Sequence, residues 1–337
     1  MHYILKDENP VYYEVGFSCD NELLIVAGDE RVFITDPRYT TEAKEAITNA
    51  EVIEARDIYK AAREWIKRLG IKKLFYDPND LRCSDLEQLR KSGAALRPKR
   101  NISWQKRLIK SEEEIAKIAQ SVKLNAEAFC EFATFLQKSA GKSERELHFE
   151  ATAFLSRKGR YDLSFDPIFA INENAAKPHA LPTDKALQPG DLVLFDAGIK
   201  YERYCSDRTR TAFFGERMSF DKEQRFANPK IQRAYDTVRK AQEAAIAAAR
   251  SGMKACELDK VARDIIEKSE FAGTFVHSLG HGVGLDIHEM PFINSRNQQI
   301  LEDGMVFTIE PGIYIPGEFG IRIEDMVVLR NGRAEVF

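Results

Sequence analysis

The chain has 337 residues, of which 44% are hydrophobic and 31% are charged, and its formal net charge is −3. This composition is typical of a globular protein with one large domain or two ordinary ones, and the charge excludes a bulk attraction to nucleic acid or acidic lipid. No apolar run reaches the ~18 residues of a membrane span, and residues 1–8 lack the apolar centre of a secretory signal. We therefore expect a cytoplasmic protein with no nucleic-acid or membrane partner.

Cysteine usage agrees with that expectation. The five cysteines are scattered along the chain without a Cys-x-x-Cys pair, so neither a disulfide framework nor a thiolate zinc site is indicated. Cys205 lies close to Asp207 in sequence, but no base is placed beside it, and we expect a packed strand residue rather than a nucleophile.

The first hundred residues alternate short apolar runs with helical patterns. Residues 22–27 and 31–35 are predicted to form hairpin strands, residues 60–69 a helix and residues 73–76 a strand. This order is typical of a small α/β domain. Residues 96–107 then break the periodicity with a basic cluster, which we interpret as a solvated connector rather than a nucleic-acid patch.

Two similar halves are predicted after that connector. Capping boxes at Ser111–Glu114 and Ser143–Glu146 each begin a helix, Asn228–Pro229 begins an Ala-rich helix, and residues 257–268 form another. A Gly-bounded hairpin follows each helix pair, so the order helix, helix, hairpin occurs twice. The sequence therefore predicts an N-terminal domain at residues 1–105 and a duplicated α+β domain at residues 106–337.

The two hairpins carry acids at matching positions. Asp196 and Glu310 each follow a glycine by six positions and precede another by two, and each hairpin supplies a second acid, Asp207 or Glu324, on its return strand. Because side chains alternate along a strand, acids of paired strands can face one another. Taken singly, any one of these acids could instead be a charge at a strand edge that faces water, which is the commoner location of Asp and Glu.

Four buried carboxylates repel one another and are costly to ionise without compensation. Two divalent cations balance four negative charges and leave His281 as a neutral fifth ligand. The predicted metal ligands are Asp196, Asp207, His281, Glu310 and Glu324. Glycines flank His281 on both sides, and we expect them to let the backbone approach a bound ion or ligand closely.

Other polar residues surround this predicted centre. His179, His277 and His288 fall in the same domain, where each is either a substrate-facing group or a hydrogen-bonded structural residue. Arg322 lies two residues before Glu324 on the same strand face. Three roles are open for Arg322 at this position. It could orient a ligand carboxylate, bind a substrate carboxylate or form a plain ion pair.

The ordered set Asp196, Asp207, His281, Glu310 and Glu324, with the segments at residues 178–184, 205–211 and 320–325, resembles the proline-specific metallopeptidases of the pita-bread fold, aminopeptidase P and prolidase. In the N-terminal part, Thr35-Asp36-Pro37-Arg38-Tyr39-Thr40 is similar to a segment of the creatinase-like N-terminal domain of that family. The resemblance implies a pita-bread catalytic domain with pseudo-twofold duplication, preceded by a smaller creatinase-like α/β domain.

The resemblance also implies ligand roles. Asp196 is bidentate to one metal, Asp207 and Glu324 bridge both, and His281 and Glu310 complete one site. Manganese is the usual metal of the family, with cobalt or zinc in some members, and a homodimer is common. The three histidines correspond to its substrate-facing histidines. Phe292 departs from some prolidases, which carry an Arg there for the substrate carboxylate, and this favours an aminopeptidase P activity.

The expected reaction is hydrolysis of the bond between an N-terminal residue and proline. Two metals activate a water and polarise the scissile carbonyl. Glu310 is the predicted general base, His288 and His277 stabilise the oxyanion or hold the peptide backbone, and His179 is a further substrate-side donor. The alternatives are an Xaa-Pro dipeptidase, a methionine aminopeptidase, which generally lacks the N-terminal domain and the Arg-x-Glu-Asp pattern, and a catalytically inactive pita-bread protein that binds peptides.

Overall fold

The computed structural model describes residues 1–337 and divides into two compact units, Met1–Arg107 and Leu108–Phe337. None of its helices has both the length and the apolar character needed to cross a membrane.

The N-terminal unit is a six-stranded mixed sheet with helices on both faces. Its strands are β1 (His2–Leu5), β2 (Glu22–Ala27), β3 (Glu30–Thr35), β4 (Glu51–Glu54), β5 (Lys73–Tyr76) and β6 (Ala95–Pro98), in the spatial order β4-β3-β2-β1-β5-β6. Its helices are α1 (Glu8–Val15), α2 (Thr40–Ala46), α3 (Ile58–Arg68), α4 (Cys83–Arg90) and α5 (Ile102–Arg107).

Alternate residues of the central strands enter two separate cores. Ile4, Leu23 and Ile25 pack on the side of α3, while Leu5 and Leu24 pack on the opposite side with α1. A sheet covered on both faces needs apolar residues at successive positions. This explains the continuous apolar run at residues 23–26, and the predicted hairpin, helix and strand of this domain are present.

The interpretation of residues 96–107 as a solvated connector was wrong. Leu96 pairs with Leu74 at the sheet edge, and Ile102 is buried in the core of the same unit. The charged residues of this segment hid a four-residue edge strand and a six-residue helix, because elements this short contain too few residues to show a periodicity.

The C-terminal unit contains four helices in two pairs: α6 (Glu112–Leu136), α7 (Glu144–Leu155), α8 (Pro229–Ala248) and α9 (Ala255–Glu267). Its strands in the first half are β7 (Ile168–Ile171), β8 (Leu192–Ala197), β9 (Lys200–Tyr201), β10 (Tyr204–Cys205) and β11 (Arg208–Phe213), with a 3-10 helix at Asn172–Ala176. Those of the second half are β12 (Gly280–Gly282), β13 (Glu289–Ile293), β14 (Val306–Ile309), β15 (Gly312–Ile315), β16 (Phe319–Arg322), β17 (Asp325–Arg330) and β18 (Arg333–Val336).

Each helix pair is followed by a long hairpin, as the sequence predicted. Ser111 and Ser143 form the predicted capping boxes at the starts of α6 and α7. In the first half β8 pairs with β11 and the short pair β9–β10 forms the tip, and in the second half β14 pairs with β17 and β15–β16 forms the tip. The sheets are ordered β11-β8-β7 and β13-β12-β14-β17-β18.

Candidate active site

The first hairpin places two acids near its distal end. Asp196 is the fifth residue of β8 and lies opposite Thr209 of β11, whereas Asp207 immediately precedes β11. Both acids are buried among the apolar residues of the hairpin. Val193, Leu194 and Phe195 stabilise the strand by burial, and Asp196 therefore enters the interior with them.

The second hairpin repeats this arrangement. Glu310 immediately follows β14 and Glu324 immediately precedes β17, at the two positions where the long strands give way to the tip. The backbone N–H of Glu310 donates to the carbonyl of Leu279 at 2.8 Å, so Glu310 is also tied to the segment that leads into β12.

The two hairpins meet side by side. The backbone N–H of Glu324 donates to the Thr209 carbonyl at 3.1 Å, and the Thr211 hydroxyl bonds both the N–H and the carbonyl of Arg322 at 3.1 and 3.0 Å. The Thr209 hydroxyl donates to Glu324 Oε2 at 2.7 Å. These bonds hold the acids of the two halves against each other.

The resulting cluster contains all five predicted ligands. Donor atoms of Asp207, His281 and Glu324 lie within 4.8 Å of one another. His281 Nε2 is 3.5 Å from Asp207 Oδ2 and 3.4 Å from Glu310 Oε1. Asp196 and Glu310 lie outside the tightest trio, but their charges act on those of Asp207 and Glu324.

Asp196 is held by Arg322. Nη2 of Arg322 lies 2.5 Å from Asp196 Oδ2 in a buried ion pair, while Asp196 Oδ1 is buried without a hydrogen-bond partner. Arg322 also donates to the Thr209 hydroxyl at 3.0 Å and to the Tyr314 hydroxyl at 2.8 Å. Of the three possibilities for Arg322, the structure contains an ion pair, and its partner Asp196 is one of the predicted ligands.

Burial and mutual repulsion dominate the electrostatics. Burial, with the charges of Glu324, Asp196 and Glu310, raises the pKa of Asp207 well above its usual value. Burial also raises the pKa of Glu324, and it raises that of Glu310 to about 8. The pKa of His281 falls to about 3 for the same reason, so its imidazole is neutral near pH 7.

This donor set fits a divalent metal. Four carboxylates face a single guanidinium, that of Arg322, and an uncompensated buried negative charge is costly. Asp196 Oδ1 has no partner, and a neutral imidazole and carboxylate oxygens are ligands that first-row divalent ions accept. Cation binding would satisfy both the charge and the orphaned oxygen.

The glycines beside His281 lie against neighbouring backbone. His281 lies on β12, and a Cβ at Gly280 would stand 1.9 Å from the Thr308 carbonyl oxygen, while one at Gly282 would stand 2.2 Å from that of Met290. The glycines therefore permit close approach of neighbouring protein backbone. This packing fixes the strand that carries His281.

A cavity of ≈ 450 Å³ opens onto the cluster. Its polar lining includes His179, His277 and His288 in addition to the five clustered residues, and its apolar lining includes Phe165, Ile168, Leu181, Ile287 and Phe292. Arg322 is the only lysine or arginine of the lining. The cavity has the size and mixed lining of a small-molecule or peptide site.

The three histidines differ in their surroundings. The His288 ring centroid is 4.2 Å from that of His281, and burial lowers the pKa of His288. His277 contacts the Ser278 carbonyl through Nδ1 at 2.8 Å and the Tyr314 hydroxyl through Nε2 at 2.9 Å. Both ring nitrogens of His277 are thus engaged within the protein, and His179 lines the cavity wall.

Sequence reasoning missed the hydroxyl groups that hold the acids. Tyr314 bridges Arg322 and His277, Thr209 binds Glu324, and the Thr308 hydroxyl is 3.2 Å from Glu310 Oε1. Each lies within four residues of a predicted ligand. The sequence signal for them was a hydroxyl-bearing residue two or four positions from an acid on a strand that is otherwise apolar.

Comparison with known proteins agrees with this architecture. Residues 116–331 match the model of metallopeptidase family M24, and residues 2–109 match the creatinase/prolidase N-terminal domain. The chain is 34% identical over 335 residues to an Xaa-Pro dipeptidase of Pyrococcus horikoshii, covering 98% of this chain and 90% of that protein.

Two solved structures are similar over almost the whole chain. An Xaa-Pro dipeptidase from Bacillus anthracis has a TM-score of 0.92 at 32% identity, covering 99% of this chain and 92% of that one. An X-Pro aminopeptidase from Thermotoga maritima has a TM-score of 0.88 at 32% identity, covering 99% and 94%. The fold is thus the creatinase-like domain followed by the pita-bread catalytic domain that was expected, and the chain belongs to metallopeptidase family M24.

Proposed function

We propose that this protein hydrolyses the bond between an N-terminal residue and a following proline, as an Xaa-Pro aminopeptidase. The observation that carries the proposal is the convergence of four carboxylates and His281 at a cavity that also presents His179 and His288. The names of its relatives support the preference for proline.

The proposed cofactor is a pair of divalent ions, with manganese as the first choice and cobalt or zinc as alternatives. Asp196, Asp207, His281, Glu310 and Glu324 would hold them. When bound, the ions supply a nucleophilic hydroxide near neutral pH and polarise the scissile carbonyl. An Xaa-Pro bond needs this help because the leaving nitrogen has no N–H and its ring fits ordinary peptidase clefts poorly.

The chain's own residues would move protons and hold the peptide. Glu310, which lies beside His281 at the cavity, is the proposed general base. His288, beside His281 at the cavity, would donate to the developing oxyanion, with His179 as a second substrate-side donor. His277, engaged at both nitrogens, would instead hold Tyr314 and thereby Arg322.

An Xaa-Pro dipeptidase is the second candidate, and the names of several relatives favour it. The cavity lining supports the aminopeptidase, since its one guanidinium is already paired with Asp196 and Phe292 offers no charge to a dipeptide carboxylate. Substrate length therefore separates the two candidates.

The test is metal analysis of the purified protein, followed by hydrolysis of Ala-Pro and Ala-Pro-Ala with Mn²⁺. Faster release of alanine from Ala-Pro-Ala supports the aminopeptidase, and faster cleavage of Ala-Pro supports the dipeptidase. Ala-Ala-Ala is the matched control for proline specificity. Cleavage of neither proline peptide with Mn²⁺, Co²⁺ or Zn²⁺ would refute the proposed function.

We also propose a cytoplasmic homodimer. All five cysteines are free thiols, which suits a reducing compartment, and dimers are common in the family that the sequence resembles. Light scattering of the purified chain tests the oligomeric state, and a monomer at micromolar concentration would contradict it.

A further inference from the structure

The segment between α9 and β12 links several parts of the candidate active site. It carries His277, whose ring contacts Tyr314, and it continues directly into the strand that bears His281. Residues 272–279 form no helix or strand. Side chains of α9 bind their backbone at several points: Glu267 accepts from the N–H of Gly273, and Asp259 and Arg263 bind residues 275–279.

We propose that Asp259 and Arg263 form a clamp that positions the candidate metal ligands by fixing residues 275–279; this inference rests on the proposed function. Arg263 donates to both carboxylate oxygens of Asp259 at 2.8 Å. Its two terminal nitrogens also donate to the carbonyls of Phe275 at 2.9 Å and His277 at 2.8 Å. The planar guanidinium thus joins one carboxylate to two backbone carbonyls, which a single point charge cannot do.

The other half of the clamp acts on the far end of the same segment. The backbone N–H of Leu279 donates to Asp259 Oδ1 at 3.2 Å. The guanidinium of Arg263 lies 4.2 Å from the centroid of the Phe275 ring, and that ring contacts His277 edge to face. Asp259 is fully buried, so both ends of residues 275–279 are attached to one rigid side-chain pair.

Two routes lead from the clamped segment to the acids. In the first, the Leu279 carbonyl accepts from the N–H of Glu310 at 2.8 Å. In the second, His277 Nε2 contacts the Tyr314 hydroxyl, which accepts from Arg322. Arg322 in turn holds Asp196 at 2.5 Å. A shift of the clamped segment would therefore displace Glu310 and Asp196 together.

The plain alternative is that Asp259 and Arg263 are a helix-stabilising pair four residues apart. The same helix contains such a pair, Lys260 and Asp264, with the same spacing and a distance of 2.8 Å. Lys260 is 70% exposed, whereas the Asp259 side chain is 1% exposed. The bonds to three backbone groups outside the helix distinguish the clamp from that surface pair, which therefore serves as its matched control.

The experiment compares Arg263→Gln, Arg263→Lys and the control Lys260→Gln with the unmodified protein. Three quantities are measured: the midpoint of thermal unfolding, the affinity of the metal-free protein for Mn²⁺ alone by titration, and kcat and KM for whichever of Ala-Pro and Ala-Pro-Ala is cleaved faster. Activity is assayed well below every unfolding midpoint, so that all variants are folded.

We expect Arg263→Gln to lower the Mn²⁺ affinity or kcat by about 10- to 100-fold, the usual effect of removing a group that orients ligands, with KM changed less than kcat. Arg263→Lys keeps the positive charge beside Asp259 but not the planar guanidinium that reaches two carbonyls. We therefore expect an intermediate loss of Mn²⁺ affinity or kcat. Lys260→Gln should match the unmodified protein in all three measurements.

A different result is expected if the Asp259–Arg263 pair only stabilises the fold. In that case Arg263→Gln would lower the unfolding midpoint but keep the Mn²⁺ affinity and kcat of the unmodified protein at low temperature, which overturns the proposal. If Arg263→Gln does not fold, Arg263→Lys decides between the same outcomes. Should the unmodified protein bind Mn²⁺ but cleave neither peptide, the proposed function fails, and the comparison of Mn²⁺ affinities still tests the clamp.

Discussion

Asp207 is a buried acid whose surroundings oppose its ionisation. It is buried, it lies 3.5 Å from His281, and burial together with neighbouring carboxylates raises its pKa. Without a cation, its negative charge is opposed by three other acids. Such an arrangement destabilises the metal-free fold, and a metal bound by the proposed ligands would reverse that cost.

We predict that Asp207→Asn abolishes Mn²⁺-dependent cleavage of Xaa-Pro peptides while the metal-free protein unfolds at the same or a higher temperature. The amide cannot ionise, so it removes the cost of ionising a buried carboxylate beside other acids without changing the side-chain size. Calorimetry of the metal-free protein and a peptidase assay measure the two effects. Full retention of activity would refute a bridging role for Asp207.

His288 differs from His281 although their rings are adjacent. We predict that His288→Ala lowers kcat by about 10²- to 10³-fold, the range seen when one oxyanion donor is removed, with unchanged bound metal. Metal analysis beside steady-state kinetics makes the distinction. Loss of metal from this variant would reassign His288 as a ligand.

As a proposed metal ligand, Glu310 is expected to make metal binding depend on pH. Its pKa of about 8 means that the metal-free protein holds a proton there at pH 7, whereas a metal ligand must be a carboxylate. Binding therefore releases a proton, and the apparent Mn²⁺ affinity should rise as pH increases from 6 to 8. Titration calorimetry in two buffers of different ionisation enthalpy counts the protons released, and uptake of protons would contradict this assignment.

At the scale of elements, the start of the catalytic unit is tied to β13 by one buried ion pair. Lys110 Nζ lies 2.6 Å from Glu289 Oε1, and both side chains are 1% exposed. The Glu289 carboxylate also fills the space beside Gly284, where a Cβ would stand 2.5 Å from Oε1. The pair therefore fixes the strand that follows His288.

We predict that Lys110→Met destabilises the protein by about 3–5 kcal/mol, because it removes one partner of a buried ion pair with Glu289. The control is Lys117→Met on α6, which breaks pairs with Glu113 and Glu202, 79% and 52% exposed, and should cost no more than about 1 kcal/mol. Urea unfolding measures both. Equal losses for the two variants would show that burial of the pair contributes nothing.

A second buried network supports the hairpins behind the cluster of acids. Arg210 donates to the Glu324 carbonyl and to Asp325, each at 2.5 Å, and Gln242 of α8 donates to Asp325 at 2.9 Å. Although burial opposes it, the charges of Arg210 and Lys222 lower the pKa of Asp325 to about 2. Asp325 is therefore an ionised structural acid beside the proposed ligand Glu324.

At the scale of the whole molecule, duplication of the catalytic unit explains why the site was largely predictable. Asp196 and Glu310 occupy matching positions in two hairpins, and the hairpins join through residues 209–211 and 322–324. The repeated pattern places an acid at the same position of each hairpin. If the two hairpins pack side by side, those acids are therefore expected to lie close together. The structure brings all five predicted ligands together on this principle.

The sequence by itself determined the elements with a strong local signal. Capping boxes at Ser111 and Ser143, apolar alternation and the Gly-acid spacing depend only on neighbouring residues. They predicted the helices and hairpins that the structure contains, and they selected the acids proposed as ligands. The edge strand at residues 95–98 and the short helix after it had no comparable signal.

Tertiary structure alone decided which side chains are partners. Arg322 holds Asp196, 126 residues away in the chain, His277 uses both ring nitrogens within the protein, and Arg263 binds carbonyls of a separate segment. A hydrogen bond requires its atoms to be placed within a few tenths of an ångström. Packing of distant segments sets such distances, and no local periodicity encodes them.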